Sequence, residues 1–548
     1  MRNHTIVAII GLMLLFVVLR LPGLALPYHQ DEWKNAYSAE VGGAESGNLF
    51  HPPLTALLLQ LGVALFGGES IRVLTLLFSV ISAVLLWIAV ERRAGTRAAH
   101  WSLFFYALSF CSVWASLMVD TDGAILPAFF LLSIYCYDRA THPHATHWWW
   151  AAVGAALLLG LLVKLSFVLV VGVLVLDLFC VHYRSITRRQ ILAAVGGIIG
   201  FGILFVAGLL LTPLVYPAFR LDEMISHALY FVQLSGRNYT QIVAQAIKIV
   251  MYLSPILVVP LVLYRRETFS RTRVFSFYVL LGCLFYFIIF DFSRGALDKY
   301  LLFLAAPLSA ITGVITARVF SRTKTSTGNF ALSISGVCAA VAVYMSQYLP
   351  HVVAPLYPKS EWFSRVLHGE WTVLTPFTGG SGPLGFYVSF LLIGSSFVLA
   401  GIYAALGLIR PHLQRGALIA IILISVAYNT VFIGEFSFGT MYGNAGDLLK
   451  TLIVDIEKNP TITRVITYND IGAYELTKLN RYADRFYAAP QYEAVHAVRF
   501  EAHTGHYLVI DVPHINPDSF YGRFFSQCNV IVERHSGVIT GTIYECLP

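Results

Sequence analysis

Apolar runs of about 18 to 25 residues recur along this chain almost from its first residue to about residue 435, and a soluble fold has no place for so many of them. Thirteen are read from the sequence, at residues 5–26, 71–91, 98–118, 123–139, 148–163, 166–183, 191–213, 245–264, 274–291, 299–318, 330–349, 384–409 and 415–435. Each is close to the length that crosses a hydrocarbon core of roughly 30 Å. The pair 148–163 and 166–183 depends on Lys164, which interrupts one apolar stretch; a single long helix there would put the C-terminus on the other side. The stretch 54–66 is apolar but short and follows Pro52-Pro53, which suits a lateral or re-entrant helix. With 57% hydrophobic and 12% charged residues, the chain is expected to be a polytopic α-helical membrane protein.

Basic residues orient it. Arg92, Arg93 and Arg97, then Arg184, Arg188 and Arg189, then Arg265, Arg266, Arg271 and Arg273, then Arg318, Arg322 and Lys324, then Arg410 and Arg415 fall in alternate loops. Such loops stay in the cytoplasm. The N-terminus is therefore expected inside, while the Asp31-Glu32 loop, the Asp120–Asp122 turn and the segments 214–244 and 350–383 face outward. The net charge of +7 follows from topology and contact with anionic lipid, with no need for nucleic acid. The first run lacks a small-residue cleavage site before Asp31 and is expected to be retained in a multi-pass cell (inner) membrane protein.

Composition changes near Ser437. Residues 1–436 read as the transmembrane domain and 437–548 as a small exoplasmic α/β domain. Within the latter, Leu448, Leu449, Leu452, Ile453 and Ile456 keep helical spacing, and Arg464–Tyr468, His506–Val512, Asn529–Glu533 and Gly541–Cys546 read as strands. Trp362, Phe363, Val366 and Leu367, with Trp371 nearby, suit a helix lying among headgroups. Five of the seven cysteines lie in apolar runs; Cys528 and Cys546 fall in the outer domain and are disulfide candidates, two unpaired core thiols being the alternative.

Polar residues gather at the outward ends of the runs. Asp31 and Glu32 follow the first; Asp120 and Asp122 occupy the short turn between the third and fourth; Arg72, Lys164, Arg294, Lys299 and Tyr300 stand at other outward ends. Any one cation could simply snorkel to the headgroups, except that Lys164 interrupts an apolar run and should face protein or a cavity. Carboxylates at membrane depth cost roughly 2.5 to 3.5 kcal/mol on insertion scales and persist for function. Acids and cations around one outward cavity fit a site that binds phosphate and deprotonates a hydroxyl. His142, His144 and His147 are close in sequence but lie in a loop placed in the cytoplasm, and no metal site is expected.

Asp31-Glu32 with Tyr37 five residues after the Glu, then His51-Pro52-Pro53-Leu54, resembles the GT-C glycosyltransferases of family 39, which include protein O-mannosyltransferases and the lipid A aminoarabinose transferase. Further matches are Gly68-Glu69-Ser70-Ile71-Arg72, Asp120-Thr121-Asp122 with Pro127, Gly160-Leu161-Leu162-Val163-Lys164, and Lys299-Tyr300-Leu301-Leu302 with Pro307. The resemblance covers most of residues 1–320; beyond residue 330 it extends only to general layout. It implies transfer of a sugar, with inversion, from a polyprenyl monophosphate to an acceptor hydroxyl of a protein, lipid or polysaccharide. Asp31 would be the general base with Glu32 supporting it, although spacing alone does not rank the two. Arg72, Lys164, Lys299 and Tyr300, and by position Arg294, would hold the lipid phosphate; His51, Tyr37, Asp120 and Asp122 would serve the sugar or its surroundings. No metal cofactor is expected, although the oligosaccharyltransferase branch of this fold uses a divalent ion. A transporter or flippase of a lipid-linked substrate is the rival reading, as is a binding protein anchored by its helices; the first should show repeated halves and polar groups at the midplane.

Overall fold

The structure, a computed structural model, describes residues 2–42, 51–182, 188–217, 219–232, 236–291, 298–323, 326–378 and 382–546. Two compact units are present, one of residues 1–21 and 34–324, the other of residues 22–33 and 325–548. The composition change at residue 437 therefore marks the end of the last long apolar helix, Gln414–Phe438, whereas the compact units divide near residue 325 and exchange the segment 22–33.

Nine helical segments among the described residues are long and apolar enough to cross a membrane: Thr5–Ala25, Gly68–Ala94, Gly196–Leu214, Tyr239–Leu263, Arg266–Ile289, Asp298–Arg322, Thr327–Ser346, Phe390–Ile409 and Pro411–Phe438. The other four of the thirteen expected runs are shorter or broken. Run 98–118 is two helices, Thr96–Leu108 and Phe110–Leu117, parted at an extended Ser109. Run 123–139 opens with a π-helical turn, Thr121–Ile125, before the helix Leu126–Ala140. Lys164 is itself extended and separates Trp148–Val163 from Val168–His182, so the 148–183 stretch is two helices. Pro53–Phe66 is a separate 14-residue helix with proline in its first turn.

In the first unit, the break at Ser109 strands carbonyls of the preceding turn, and in hydrocarbon a stranded carbonyl is costly. Arg20 answers them. Its fully buried guanidinium donates to the carbonyls of Ala107 at 3.1 Å and Tyr106 at 3.4 Å, to Ser112 Oγ at 2.9 Å and Ser116 Oγ at 2.8 Å, and to Phe16 of its own helix at 2.7 Å. One side chain thus fixes both sides of the break that leads to Asp120. The exposed apolar faces of Thr5–Ala25 and Gly196–Leu214, including Ile10, Leu14, Ile203 and Leu210, are surfaces suited to lipid.

The second unit contains three of the nine long helices, an antiparallel hairpin of β1 (Leu374–Phe377) and β2 (Phe386–Ser389), and a five-stranded sheet. The sheet is formed by β3 (Val465–Tyr468), β4 (Tyr482–Phe486), β5 (Gly505–Ile510), β6 (Asn529–Ser536) and β7 (Ile539–Cys546), in the order β4-β3-β5-β7-β6. β4, β3 and β5 are parallel; β7 runs antiparallel to both β5 and β6. Alternation puts Val465, Leu508 and Ile510 on one face against Leu448, Leu452 and Ile456 of the helix Ala445–Lys458. Ile466, Tyr468 and Tyr507 face the other way, against Phe500, Tyr521 and Phe525. A disulfide joins Cys528 to Cys546. The helix Lys359–Leu367 forms where expected, but Trp362 is buried with Ala354 and Val373 instead of facing headgroups. β4 and the β1–β2 hairpin were not legible: Tyr482–Phe486 carries Asp484 and Arg485 and shows no buried alternation.

Two stability outcomes follow. Arg20→Leu is expected to lose on the order of 3 kcal/mol, because stranded buried acceptors cost roughly 1–3 kcal/mol each, with Arg20→Lys recovering part of it; unfolding midpoints in lipid nanodiscs measure both. Burial lowers the pKa of His496, His503 and His506, whereas the hydrogen bond to Asp511 raises that of His514. The first three favour the folded state above the unfolded histidine value of about 6.5 and lose that contribution as pH falls; His514 contributes below that value and loses it as pH rises. His496→Gln removes one of the contributions lost on acidification, so it should reduce whatever fall the melting midpoint shows between pH 7.5 and 5.5, whereas His514→Gln should enlarge it.

Candidate active site

The polar residues of the first unit sit where helices give up α geometry. Lys164 is the extended link after Trp148–Val163, and Gly160 makes the link feasible: a Cβ there would lie 2.2 Å from the ring of Phe167, which folds back on the last turn. Asp120 is the extended residue that caps the π turn, accepting from the Thr121 N–H, and Asp122 lies within that turn. Gly123 packs so closely that a Cβ would meet the Ala115 carbonyl at 2.3 Å. Lys299 and Tyr300 ride on a 3-10 turn, Asp298–Leu304, that leads into the helix Ala305–Arg322. π and 3-10 turns of this kind are frequent at functional positions.

These breaks bring together five of the expected residues. Lys164 Nζ donates to both carboxylate oxygens of Asp122, at 2.7 and 2.6 Å. Lys299 pairs with Asp120. The Lys164 ammonium lies 4.2 Å from the ring centre of Tyr300, and that of Lys299 5.4 Å away. All five are buried. A second pair adjoins them: Lys248 contacts Asp298 at 2.6 Å, and the Tyr252 hydroxyl donates to the same carboxylate at 3.1 Å. Sequence reading passed over Lys248, which lies near the start of the run 245–264, although a lysine within an apolar run is the kind of signal that singled out Lys164.

His51 lies within electrostatic reach of Lys164, Asp120 and Lys299, and its ring meets His227 edge-on at 5.7 Å. It lines a pocket with Asn35, Pro52, Thr55, Thr121 and Tyr216. Asn35 donates to the Val119 carbonyl at 2.9 Å, and Thr55 to the Val163 carbonyl at 3.2 Å, so neighbouring helices serve the carbonyls freed beside Asp120 and Lys164. Arg72 is buried at the start of Arg72–Ala94, and Tyr37 is half-buried on the helix Asp31–Val41. Arg294 lies outside the described residues.

Asp31 and Glu32 belong to the second unit. They open the helix Asp31–Val41, where its dipole favours carboxylates. Glu32 is buried and accepts from the His29 N–H at 3.4 Å; Asp31 is half-exposed. His142, His144 and His147 are exposed, and no group of three or more metal-ligating side chains occurs among the described residues.

Chemically, the first unit offers two ammonium groups beside a phenol in a water-poor setting, each oriented by a carboxylate. Lys164 gives two of its three N–H donors to Asp122 and presents the rest of its charge toward Tyr300. Such a cluster can offer its remaining N–H donors and the phenol to an anionic oxygen, with the two carboxylates fixing where the ammonium groups sit. Breaking one pair should be severe and removing both milder: Asp122→Asn alone is expected to cost roughly 3–5 kcal/mol, and Asp122→Asn with Lys164→Gln to restore most of that. Unfolding midpoints of the two variants beside the wild type measure the difference.

Comparison with known proteins bears on the fold. The sequence pattern of the dolichyl-phosphate-mannose-protein mannosyltransferase family matches residues 50–209. No curated protein sequence matches the chain. Among solved structures, ArnT from Cupriavidus metallidurans bound to undecaprenyl phosphate superposes with a TM-score of 0.53 at 15% identity, covering 99% of this chain and 98% of that one. Its apo state gives 0.53 at 14% identity over the same shares. The arabinosyltransferase EmbB from Mycobacterium smegmatis covers 80% of this chain and 41% of its own at 14% identity, with a TM-score of 0.45. The fold is thus that of the GT-C membrane glycosyltransferases, as the motifs between residues 31 and 307 implied.

Proposed function

We propose that the protein is an integral membrane glycosyltransferase that moves a sugar from a polyprenyl monophosphate to an acceptor hydroxyl. One observation carries this reading: Lys164 and Lys299, each held by a carboxylate, flank Tyr300 at helix breaks of a fold shared with a protein crystallised with undecaprenyl phosphate. In the proposed step the acceptor oxygen bonds to the anomeric carbon as the bond from that carbon to the phosphate oxygen breaks. The configuration inverts, the acceptor's proton passes to a carboxylate, and polyprenyl phosphate leaves as an anion. Lys164, Lys299 and Tyr300, with Arg72, take up the charge that grows on the leaving phosphate. His51, Tyr37, Asp120 and Asp122 serve the sugar or hold the cations.

Asp31 is assigned as the base. Glu32 is buried and engaged with the start of its own helix, whereas Asp31 is half-exposed at the same turn. Lys164, Lys299 and Tyr300 supply N–H and O–H donors to the leaving phosphate and Arg72 adds positive charge, and the reaction is proposed to proceed without metal. The chain is placed in the cell membrane with its N-terminus in the cytoplasm and its sheet domain on the exoplasmic side. Arg97, Arg271, Arg318 and Arg322 support this, lining one pocket at the helix ends opposite Lys299, as does a disulfide in the sheet domain.

The test is turnover of radiolabelled polyprenyl-phosphate sugars by the full chain in nanodiscs with crude membrane acceptors, with and without EDTA. Release of polyprenyl phosphate is expected, unaffected by EDTA. Asp31→Asn should lower it by about 10²–10⁴-fold, the range of general-base catalysis, and Glu32→Gln by much less. Intact donors throughout, or equal losses in the two variants, would overturn respectively the reaction and the assignment of the base.

A further inference from the structure

The segment carrying Asp31 is fastened to the sheet of the second unit, and Gln30 is the fastener. Gln30 is 2% exposed and adopts φ 50°, a left-handed conformation that a side-chain-bearing residue takes only where its surroundings enforce it. Both ends of its carboxamide are engaged. Nε2 donates to the Asn469 carbonyl at 2.8 Å, and Oε1 accepts from the Tyr487 hydroxyl at 3.1 Å. Asn469 immediately follows β3 and Tyr487 immediately follows β4, so Gln30 sits at the carboxyl ends of two parallel strands. That edge of an open α/β sheet is where ligands usually bind; here it holds a piece of the chain itself.

The receiving turn is rigid. Asn469 and Asp470 both have positive φ, at 53° and 60°. The fully buried Asp470 accepts from the Tyr482 hydroxyl at 3.0 Å and pairs with Arg485, and the Asn469 N–H donates to the Phe486 carbonyl at 2.8 Å. Aromatic contacts hold the segment on either side of the acids: Tyr28 meets Tyr474 edge-on at 5.0 Å, and Trp33 lies 5.5 Å from Tyr482.

We infer that Gln30 is a positioning residue for Asp31, and that the sheet domain acts in the reaction by fixing the carboxylate beside it. This rests on the proposed function for its catalytic consequence, though not for the tether. Tyr487→Phe deletes one hydroxyl and keeps the ring; Gln30→Ala deletes both bonds. Each variant is expected to lower kcat by about 10–100-fold with donor KM within twofold, since misplacement by about 1 Å costs on that order. The double variant should be no worse than Gln30→Ala. Hydrogen–deuterium exchange across residues 28–37 is expected to quicken in both, with the melting midpoint little changed for Tyr487→Phe.

Unchanged exchange in both variants overturns the tether whatever the reaction. Faster exchange with kcat intact, with losses confined to KM, or with losses that multiply in the double variant overturns the positioning role. A wild-type chain inert to every donor, with exchange quickened in the variants, supports the tether and overturns the glycosyltransferase reading instead.

Discussion

The ion pairs Lys164–Asp122 and Lys299–Asp120 set the terms for the first unit. A lysine in an apolar setting is tolerated when a carboxylate meets it, and each carboxylate must then be carried to that depth by its own stretch of backbone. The chain meets this by interrupting helices. An extended Lys164, a capping Asp120, a π turn at Asp122 and a 3-10 turn at Lys299 aim side chains that an unbroken helix would send to a neighbouring helix or to lipid. Every interruption frees backbone carbonyls, and these require donors in turn. Thr55 serves Val163, Asn35 serves Val119, and Arg20 serves Tyr106 and Ala107. The site and the irregularity of the helices are one solution to one problem.

That problem explains what could be read from the sequence. Runs such as 330–349 and 415–435 were legible because length and apolarity alone decide membrane crossing, and Thr327–Ser346 and Gln414–Phe438 are the helices found. The break in 98–118 was not, because Ser109 is an ordinary residue in a helix and the reason for the break lies in Arg20, 89 positions earlier. Lys164 announced itself by interrupting an apolar run, yet its partner Asp122 is 42 positions away and the partner of Lys299 is 179 away. No local pattern specifies such pairs. The resemblance to a known family named Asp120, Asp122, Lys164 and Lys299 as residues without saying which would meet.

The second unit shows the same limit in another form. β5 and β7 were legible as short apolar runs of strand length, whereas β4, with Tyr482, Asp484 and Arg485, looks like a loop in isolation. It is a strand because it pairs in parallel with β3, and its Tyr482 and Arg485 brace Asp470 and the turn after β3. Gln30 was equally silent. A glutamine beside two acids reads as solvated loop until its partners appear 439 and 457 positions later.

Two physical means of precision therefore operate in one chain. Cations are fixed by desolvation: a buried ammonium must stay on its carboxylate because the alternative is an unpaired charge in an apolar medium. The acids at residues 31 and 32 open a helix where Glu32 is buried and Asp31 half-exposed, so desolvation holds Asp31 less firmly than it holds the buried cations. Backbone adds precision there, because Gln30 is held at the carboxyl ends of β3 and β4. A left-handed residue clamped at both ends of its amide transfers that restraint to the next position along the chain, which is Asp31.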